Sequence, residues 1–300
     1  MTKQEKELCT RKFHKLLLLG NGRHEGVMAG YESLRPALAQ RFEIVGSDFS
    51  GDADMSDTSA DFALVFGGDG SVLRAVRQLG KNQIPILGVN MGRLGFLTAV
   101  DAEDLVPLVS RSDFSSLSVR EQILLECVIE TKPRISGPVR TDPELVVNEV
   151  VVQAGPPFKM LEVELSIDNE PVTTYRGDGL IVSTPVGSTA HALSSGGPIL
   201  RKDLDAVVIA PISPHTISFR PVVDSAERIY EMRVLNQKAY IIVDGNMHRV
   251  ISPGDRIRIH KSDVSFKMIR VPGRSYYRTL REKLGWGGGL NFLDAAHPEQ

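Results

Sequence analysis

Phe66-Gly67-Gly68-Asp69-Gly70-Ser71-Val72-Leu73 decides how this chain is read. The apolar run Phe62-Ala63-Leu64-Val65 leads into it, and Val72, Leu73, Val76 and Leu79 follow at helical spacing. The pattern predicts a strand, a tight turn and a helix, with Asp69 on the turn at the carboxyl end of the strand. Open α/β sheets hold their ligands at that edge. Glycines lack Cβ atoms and let backbone N–H groups close on a phosphate, and the following helix turns its positive end to the same anion. An aspartate inside such a cradle repels the ligand unless it accepts a proton or faces a metal. Asp69 is therefore the first candidate for chemistry. The plain alternative is an ordinary Asp-Gly turn capping a helix.

Working outward, the chain alternates apolar runs and helical spacing on both sides of this turn. Lys15-Leu16-Leu17-Leu18-Leu19 has the continuous apolar character of a parallel strand buried on both faces. Gly20, Gly22 and Gly26 follow it as G-x-G-x-x-x-G. The third glycine stands one residue late for a dinucleotide fingerprint, and no acidic residue clearly ends the next strand, so we read it as the first βα turn. A helix is expected from Val27 to Ala39, broken or kinked at Pro36, then a strand over Phe42–Val45 and a polar loop over 46–60. The strand Pro85–Val89 leads into Asn90–Leu97, and Asp101 stands as N-cap before a short amphipathic helix. This half reads as a doubly wound α/β domain over residues 1–115.

Beyond about residue 115 strands follow one another without helices between them, at 119–131, 145–154, 161–168, 179–183, 206–210, 229–235, 239–243, 256–260 and 265–271. Leu161–Leu165 and Arg256–Ile259 alternate with period two, as half-exposed strands do. Residues 116–274 therefore read as an all-β domain, a β-sandwich, with a loop at 132–143. A last helix, Leu280–Trp286, ends at three glycines, and residues 275–300 are expected to return to the first domain. The fold class is α/β plus all-β.

Composition narrows the function. The 300 residues suffice for one large or two ordinary domains at ~100–200 residues each. A net charge of −2 lacks the basic excess of a general nucleic-acid binder. Cys9 and Cys127 are the only cysteines and have no metal-ligand spacing, which suits a reducing compartment. The N-terminus has no apolar signal core, and no run approaches the ~18 apolar residues of a membrane span. A cytoplasmic protein is expected.

Four other stretches are unusually polar for their surroundings. Asn148-Glu149 interrupts Leu145–Val147 and Val150–Val152, where an amide and a carboxyl need partners or mark a strand end or bulge. Arg176-Gly177-Asp178-Gly179 is a turn before a strand, with a surface salt bridge as its alternative. Thr184–His191 with Ser194 to Gly197 offers small hydroxyls that cap a helix or bind a ribose or phosphate. Pro211–Thr216 reads as a rigid loop, and Asp244-Gly245-Asn246 as a hairpin turn.

Together and in this order, Gly67–Gly70, Asn90–Leu97, Asn148-Glu149, Asp178–Pro185 with Gly187–Ala190, Pro214–Thr216 with Arg220-Pro221, and Leu280–Gly288 resemble the NAD kinases over about residues 60 to 288. The resemblance implies phosphoryl transfer from ATP, or another donor such as polyphosphate, to the 2′-hydroxyl of the adenosine ribose of NAD, giving NADP. It implies an α/β domain, a β-sandwich and a homodimer or homotetramer. It makes Asp69 the general base and Gly67, Gly68 and Gly70 the phosphate turn, with Arg74 adding a cation. Phe96 is implied along the adenine, Asn148 and Glu149 on the ribose hydroxyls, and Arg176 and Asp178 on the nicotinamide half. Thr189, Ala190, His191 and Ser194 are implied as pocket wall, with Asn246 a further candidate. Mg²⁺, or another divalent cation, is expected with the donor because it neutralises phosphate charge; no metal ligands are legible. NAD and ATP are the expected partners, with no nucleic acid or membrane.

Two positions depart from the family pattern, and a third bears on the donor. His191 stands where tyrosine is usual and offers less stacking area, and Val186 replaces a usual threonine. Ser71 occupies a position the family associates with donor choice, and its hydroxyl leans towards polyphosphate. The rivals are another Gly-Gly-Asp-Gly kinase, acting on a lipid or sugar phosphate, and an NAD-binding sensor without turnover.

Overall fold

The computed structural model describes residues 14–24, 26–92, 95–110, 117–131, 139–273 and 275–286. The polar start at 1–12, Cys9, Arg93-Leu94, most of the 132–143 loop and the glycines after Trp286 lie outside the described residues. The described residues fall into two compact units, one within Met1–Arg120 and Lys267–Gln300, the other within Glu121–Phe266.

The first unit begins with β1 (Lys15–Gly20), α1 (Val27–Arg41), β2 (Glu43–Asp48), β3 (Phe62–Gly67), α2 (Asp69–Leu79), β4 (Ile86–Asn90), β5 (Val100–Asp101) and α3 (Ala102–Ser110). β1 pairs parallel with both β2 and β3, β3 with β4, and β4 with β5. Leu16, Leu18, Leu64, Leu87 and Val89 share one core with α1 and α3 residues such as Leu34, Leu38 and Leu105. The opposite face belongs to α2, since a Cβ at Gly88 would lie 3.3 Å from Val72. Burial on both faces is why these strands read as unbroken apolar runs.

Two details of this unit differ from expectation. Pro36 lies inside α1 without ending it. β2 runs on to Asp48, so an acidic residue does end the second strand. That carboxylate is taken up locally, accepting from the Ser50 N–H and hydroxyl, the Gly51 N–H and the Gln78 amide.

The second unit contains most of β6 (Ser118–Glu130), then β7 (Glu144–Val146), β8 (Glu149–Ala154), β9 (Leu161–Ile167), β10 (Glu170–Gly177), β11 (Gly179–Ser183), α4 (His191–Ser194), β12 (Ala206–Ile212), β13 (Val222–Ser225), β14 (Tyr230–Val234), β15 (Ala239–Val243), β16 (Asn246–Ile251) and most of β17 (Arg256–Arg270). One antiparallel set runs β10-β9-β14-β17, and a six-stranded sheet runs β13-β12-β11-β8-β15-β16. Val150, Val152, Leu180 and Val182 from the second set share a core with Val163, Leu165, Met232 and Ile257 from the first, the packing of a sandwich. Val151, Ile181, Val208 and Ala210 face the other way, onto Ala192 of α4 and Leu200. Residues 267–270 of β17 belong to the first unit, where Met268 pairs parallel with Ile86, and α5 (Tyr276–Leu284) follows.

The expected single strand over 145–154 is two strands, parted at Val147-Asn148. Conversely 256–260 and 265–271 are one strand, β17. Strands β10, β13 and β16 escaped the sequence reading, and each lies at an edge. Edge strands are paired on one side and half-solvated, so little apolar alternation marks them.

Candidate active site

Candidate side chains gather in two places, one in each unit. In the first, β3 ends at Gly67, whose φ of 137° and whose approach to Ser71 both exclude a side chain, because a Cβ there would sit 2.2 Å from the Ser71 hydroxyl. Gly68 caps α2 in extended geometry, and Asp69 is the first helical residue. Gly68 and Gly70 are exposed, and a Cβ on either would meet nothing in the protein. Packing does not demand glycine at these two positions, and the bare backbone there leaves open space beside Asp69.

Asp69 is tethered from across the sheet edge. Its two oxygens accept the Phe96 N–H at 2.8 Å and the Leu97 N–H at 2.7 Å. Gly95 makes this possible: a Cβ on it would lie 2.1 Å from an Asp69 oxygen. The Gly95 N–H itself reaches the Thr98 hydroxyl. The carboxylate stays half-buried, oriented yet open to a reactant. Phe96 has the Lys283 ammonium of α5 5.8 Å from its ring centroid. Arg74 lies apart from Asp69's tether, donating to the Ser50 carbonyl at 3.2 Å with its stem over Gly51. Ser71 is buried beneath the turn.

In the second unit the break between β7 and β8 presents Asn148 and Glu149. Glu149 is 4% exposed. Burial pushes its carboxyl up to about 8, the neighbouring Asp244 carboxylate adds to the rise, and the His191 backbone N–H works against it. Its Oε2 has no hydrogen-bond partner among the described residues. A buried, neutral carboxyl of this kind can donate one hydrogen bond to a ligand and accept another. Asn246 donates to the Asp244 carbonyl at 3.3 Å.

The 184–197 stretch is mostly spent on its own turns. Thr184 donates to the Val147 carbonyl and accepts the Gly187 N–H. Thr189 donates to Val186, the Ala190 N–H to Gly187, and Ser194 to His191. Thus Asn148, Glu149, His191 and Asn246 are brought together around Asp244 and the strand break. Thr189, Ala190 and Ser194 are tied to them only through the short helical turns.

Arg176 pairs with Glu162 on the adjacent strand at 3.1 Å rather than with Asp178. Asp178 is exposed between β10 and β11, its carbonyl accepting the Ala154 N–H. Asp244 is the residue the sequence reading missed. As part of Asp-Gly it signals only a turn, and nothing local reveals that its carboxylate reaches residues 147 to 149.

Comparison with known proteins identifies the family. The ATP-NAD kinase N-terminal domain matches residues 38–111, and the ATP-NAD kinase C-terminal domain matches residues 147–271. The chain is 45% identical to an NAD kinase of Rhodopirellula baltica over 281 residues, covering 92% of this chain and 88% of that one. An NAD kinase of Geotalea daltonii is 33% identical, covering 85% and 87% of the two chains. Among solved structures, an NAD kinase from Archaeoglobus fulgidus in complex with ATP is 26% identical, with a TM-score of 0.71 over 90% of this chain and 98% of that one. A yeast NADH kinase complexed with NADH shares the fold at a TM-score of 0.82 and 19% identity, over 94% and 90% of the two chains. With both domains matched and close relatives along nearly its whole length, the chain belongs to the NAD kinase family.

Proposed function

We propose that this kinase transfers the γ-phosphoryl group of ATP to the 2′-hydroxyl of the adenosine ribose of NAD, with Asp69 as general base. A bond forms between the ribose 2′-oxygen and the γ-phosphorus, the bond from that phosphorus to the β-bridging oxygen breaks, and the hydroxyl proton passes to Asp69. NADP and ADP result. The observation that carries this reading is the tether on Asp69. Two backbone N–H donors hold the carboxylate in one orientation beside exposed glycines, while its half-burial leaves lone pairs for a substrate proton. General-base help of this kind contributes about 10²–10⁴-fold, and positioning supplies much of the rest.

Gly67, Gly68 and Gly70 then shape the turn for phosphates, Arg74 adds a cation near it, and Phe96 lies along the adenine. Asn148 and Glu149 take the ribose hydroxyls, Arg176 and Asp178 the nicotinamide half. Thr189, Ala190, His191, Ser194 and Asn246 complete the wall. Among the described residues no group of three His, Cys, Asp or Glu side chains could hold a metal, so Mg²⁺ would enter as the cation of Mg²⁺-ATP. It would neutralise phosphate charge there.

The same reading assigns residues 1–115 to the phosphate donor, 116–274 to NAD and 275–300 to the first domain. It places a homodimer or homotetramer in the cytoplasm; no helix among the described residues is long and apolar enough to cross a membrane. Ser71 leads us to expect polyphosphate as a second donor, and strict dependence on nucleoside triphosphates in a competition assay would defeat that expectation.

The test is NADP formation from NAD and Mg²⁺-ATP by the natural chain and by Asp69→Asn. Product from the former and a large loss in a folded, NAD-binding variant support the assignment. NAD binding without product from either ATP or polyphosphate would make the protein a sensor. An active variant would remove Asp69 from its role.

A further inference from the structure

A strand that breaks inside a sheet leaves backbone groups without ladder partners, and buried ones must find others. Between β7 and β8 every N–H and C=O from Val147 to Glu149 does so. The Val147 carbonyl accepts the Thr184 hydroxyl at 2.5 Å. The Asn148 carbonyl accepts the Ser183 hydroxyl and the Thr184 N–H. The Glu149 carbonyl accepts the Asp244 N–H at 3.0 Å.

The three N–H groups all go to one carboxylate. Val147 donates to Asp244 Oδ2 at 3.1 Å, while Asn148 and Glu149 donate to Oδ1 at 2.6 and 3.2 Å. Asp244 is 6% exposed and sits in the turn of the β15–β16 hairpin, with φ 47° there and 79° at Gly245. Asparagine is favoured at such a left-handed turn position, and turn geometry alone would accept it. The N–H triplet would not. An amide offers a single acceptor oxygen, and its NH₂ would oppose one of the three donors.

We propose that Asp244 is a positioning residue of the NAD site, holding the Val147–Glu149 step so that Asn148 and Glu149 present their side chains to the dinucleotide. This rests on the reading that those two residues take the ribose hydroxyls. Asp244 acts through them and does not itself serve as the ligand.

The contact has a second consequence. The charge that acts on the Glu149 carboxyl is that of Asp244, from the hairpin turn, while from the start of α4 it is the backbone N–H of His191 that reaches it. Burial and the Asp244 charge together keep Glu149 protonated at neutral pH, with its carboxyl pushed up to about 8. Its unpartnered Oε2 then carries a proton to donate to a ribose hydroxyl oxygen. One anion thus orients Glu149 and adds to the burial that favours its protonated, donating form.

The experiment is calorimetric titration of the intact natural chain and Asp244→Asn with NAD between pH 7 and 9.5, alongside KM for NAD, KM for Mg²⁺-ATP and kcat. We expect Asp244→Asn to weaken NAD binding at pH 7 about tenfold or more, the scale of one lost charge-assisted hydrogen bond. KM for Mg²⁺-ATP should change less than about twofold, because a step that orients only the NAD-binding residues leaves donor binding alone. In the natural chain NAD affinity should fall above pH 8, approaching about tenfold per pH unit as Glu149 loses its proton. In the variant that fall should begin at lower pH, because the neighbouring negative charge is gone.

A folded Asp244→Asn protein with NAD affinity within about twofold of the natural chain and an unmoved pH profile would overturn the proposal. If the variant does not fold, the natural chain's own profile decides, and an affinity flat from pH 7 to 9.5 overturns it. A natural chain that neither binds NAD nor makes NADP would instead overturn the functional reading, and this inference with it.

Discussion

Asp69 and Asp244 use the same device to opposite ends. Each is a carboxylate at a tight turn that collects backbone N–H groups from a distant stretch, Phe96-Leu97 in one unit and Val147–Glu149 in the other. What differs is what remains. A carboxylate offers about four lone-pair sites. Asp244 spends at least three on N–H groups and is 6% exposed, so it holds structure. Asp69 spends two, stays half-buried and stands among exposed glycines, so it can meet a substrate. On the proposed reading, hydrogen-bond accounting separates the reactant from the scaffold where residue type does not.

The largest effect expected from this contrast is at Asp69. Asp69→Asn removes the base and turns an NH₂ against the Phe96 or the Leu97 N–H, so base and half the tether are lost together; kcat for NADP formation should fall about 10²–10⁴-fold or more with NAD binding retained. A loss of less than tenfold would mean the tether orients something other than the base. Next comes the tether itself. In Gly95→Ala the new Cβ would fall 2.1 Å from the Asp69 oxygen. The carboxylate must shift by about an ångström, and kcat should drop on the order of 10²-fold, read by the same assay with thermal melting to confirm folding.

In the second unit the contrast predicts damage to stability. A Cβ in Gly187→Ala would stand 2.3 Å from the Asn148 carbonyl oxygen, which the Ser183 hydroxyl and the Thr184 N–H hold in place. Destabilisation of about 1–3 kcal/mol in denaturant melts is expected, typical of overpacking. Thr184→Val removes the hydroxyl that satisfies the Val147 carbonyl and the Gly187 N–H, and should cost about 1–3 kcal/mol by the same measurement.

The smallest signal is a slope. Glu149 has its folded value raised to about 8 from 4.5, so the stability its proton brings is complete below pH 4.5 and is lost as pH rises through 8. Melting temperature without ligand should therefore decline across that window more steeply in the natural chain than in Glu149→Gln. Parallel curves would mean Glu149 is already ionised in the fold.

Local spacing carries much of this protein into view. The Leu16–Leu19 run, the helical spacing after Gly70 and the period-two segments announce α/β and all-β halves, because burial periodicity is written residue by residue. The Gly-Gly-Asp-Gly turn is equally local: its strand, glycines and helix start are contiguous, so Asp69 stands out from the order of residues alone. The Asn148-Glu149 interruption shows that something polar needs partners, without saying which.

Those partners belong to tertiary structure. Asp244 lies 97 residues from Val147 in sequence, and Asp69 lies 28 from Leu97. Each contact exists only because strand pairing brings the two stretches side by side: β8 with β15 in one case, β3 with β4 in the other. The edge strands β10, β13 and β16 were hidden for a related reason, since a neighbour's backbone rather than their own apolar pattern makes them strands. The sequence by itself determined the helices, most of the apolar inner strands and which acid stands on the turn, since those depend on neighbours in the chain. Which N–H groups hold each acid, and hence which acid is spent, depended on the register of distant strands and was decided only by the fold.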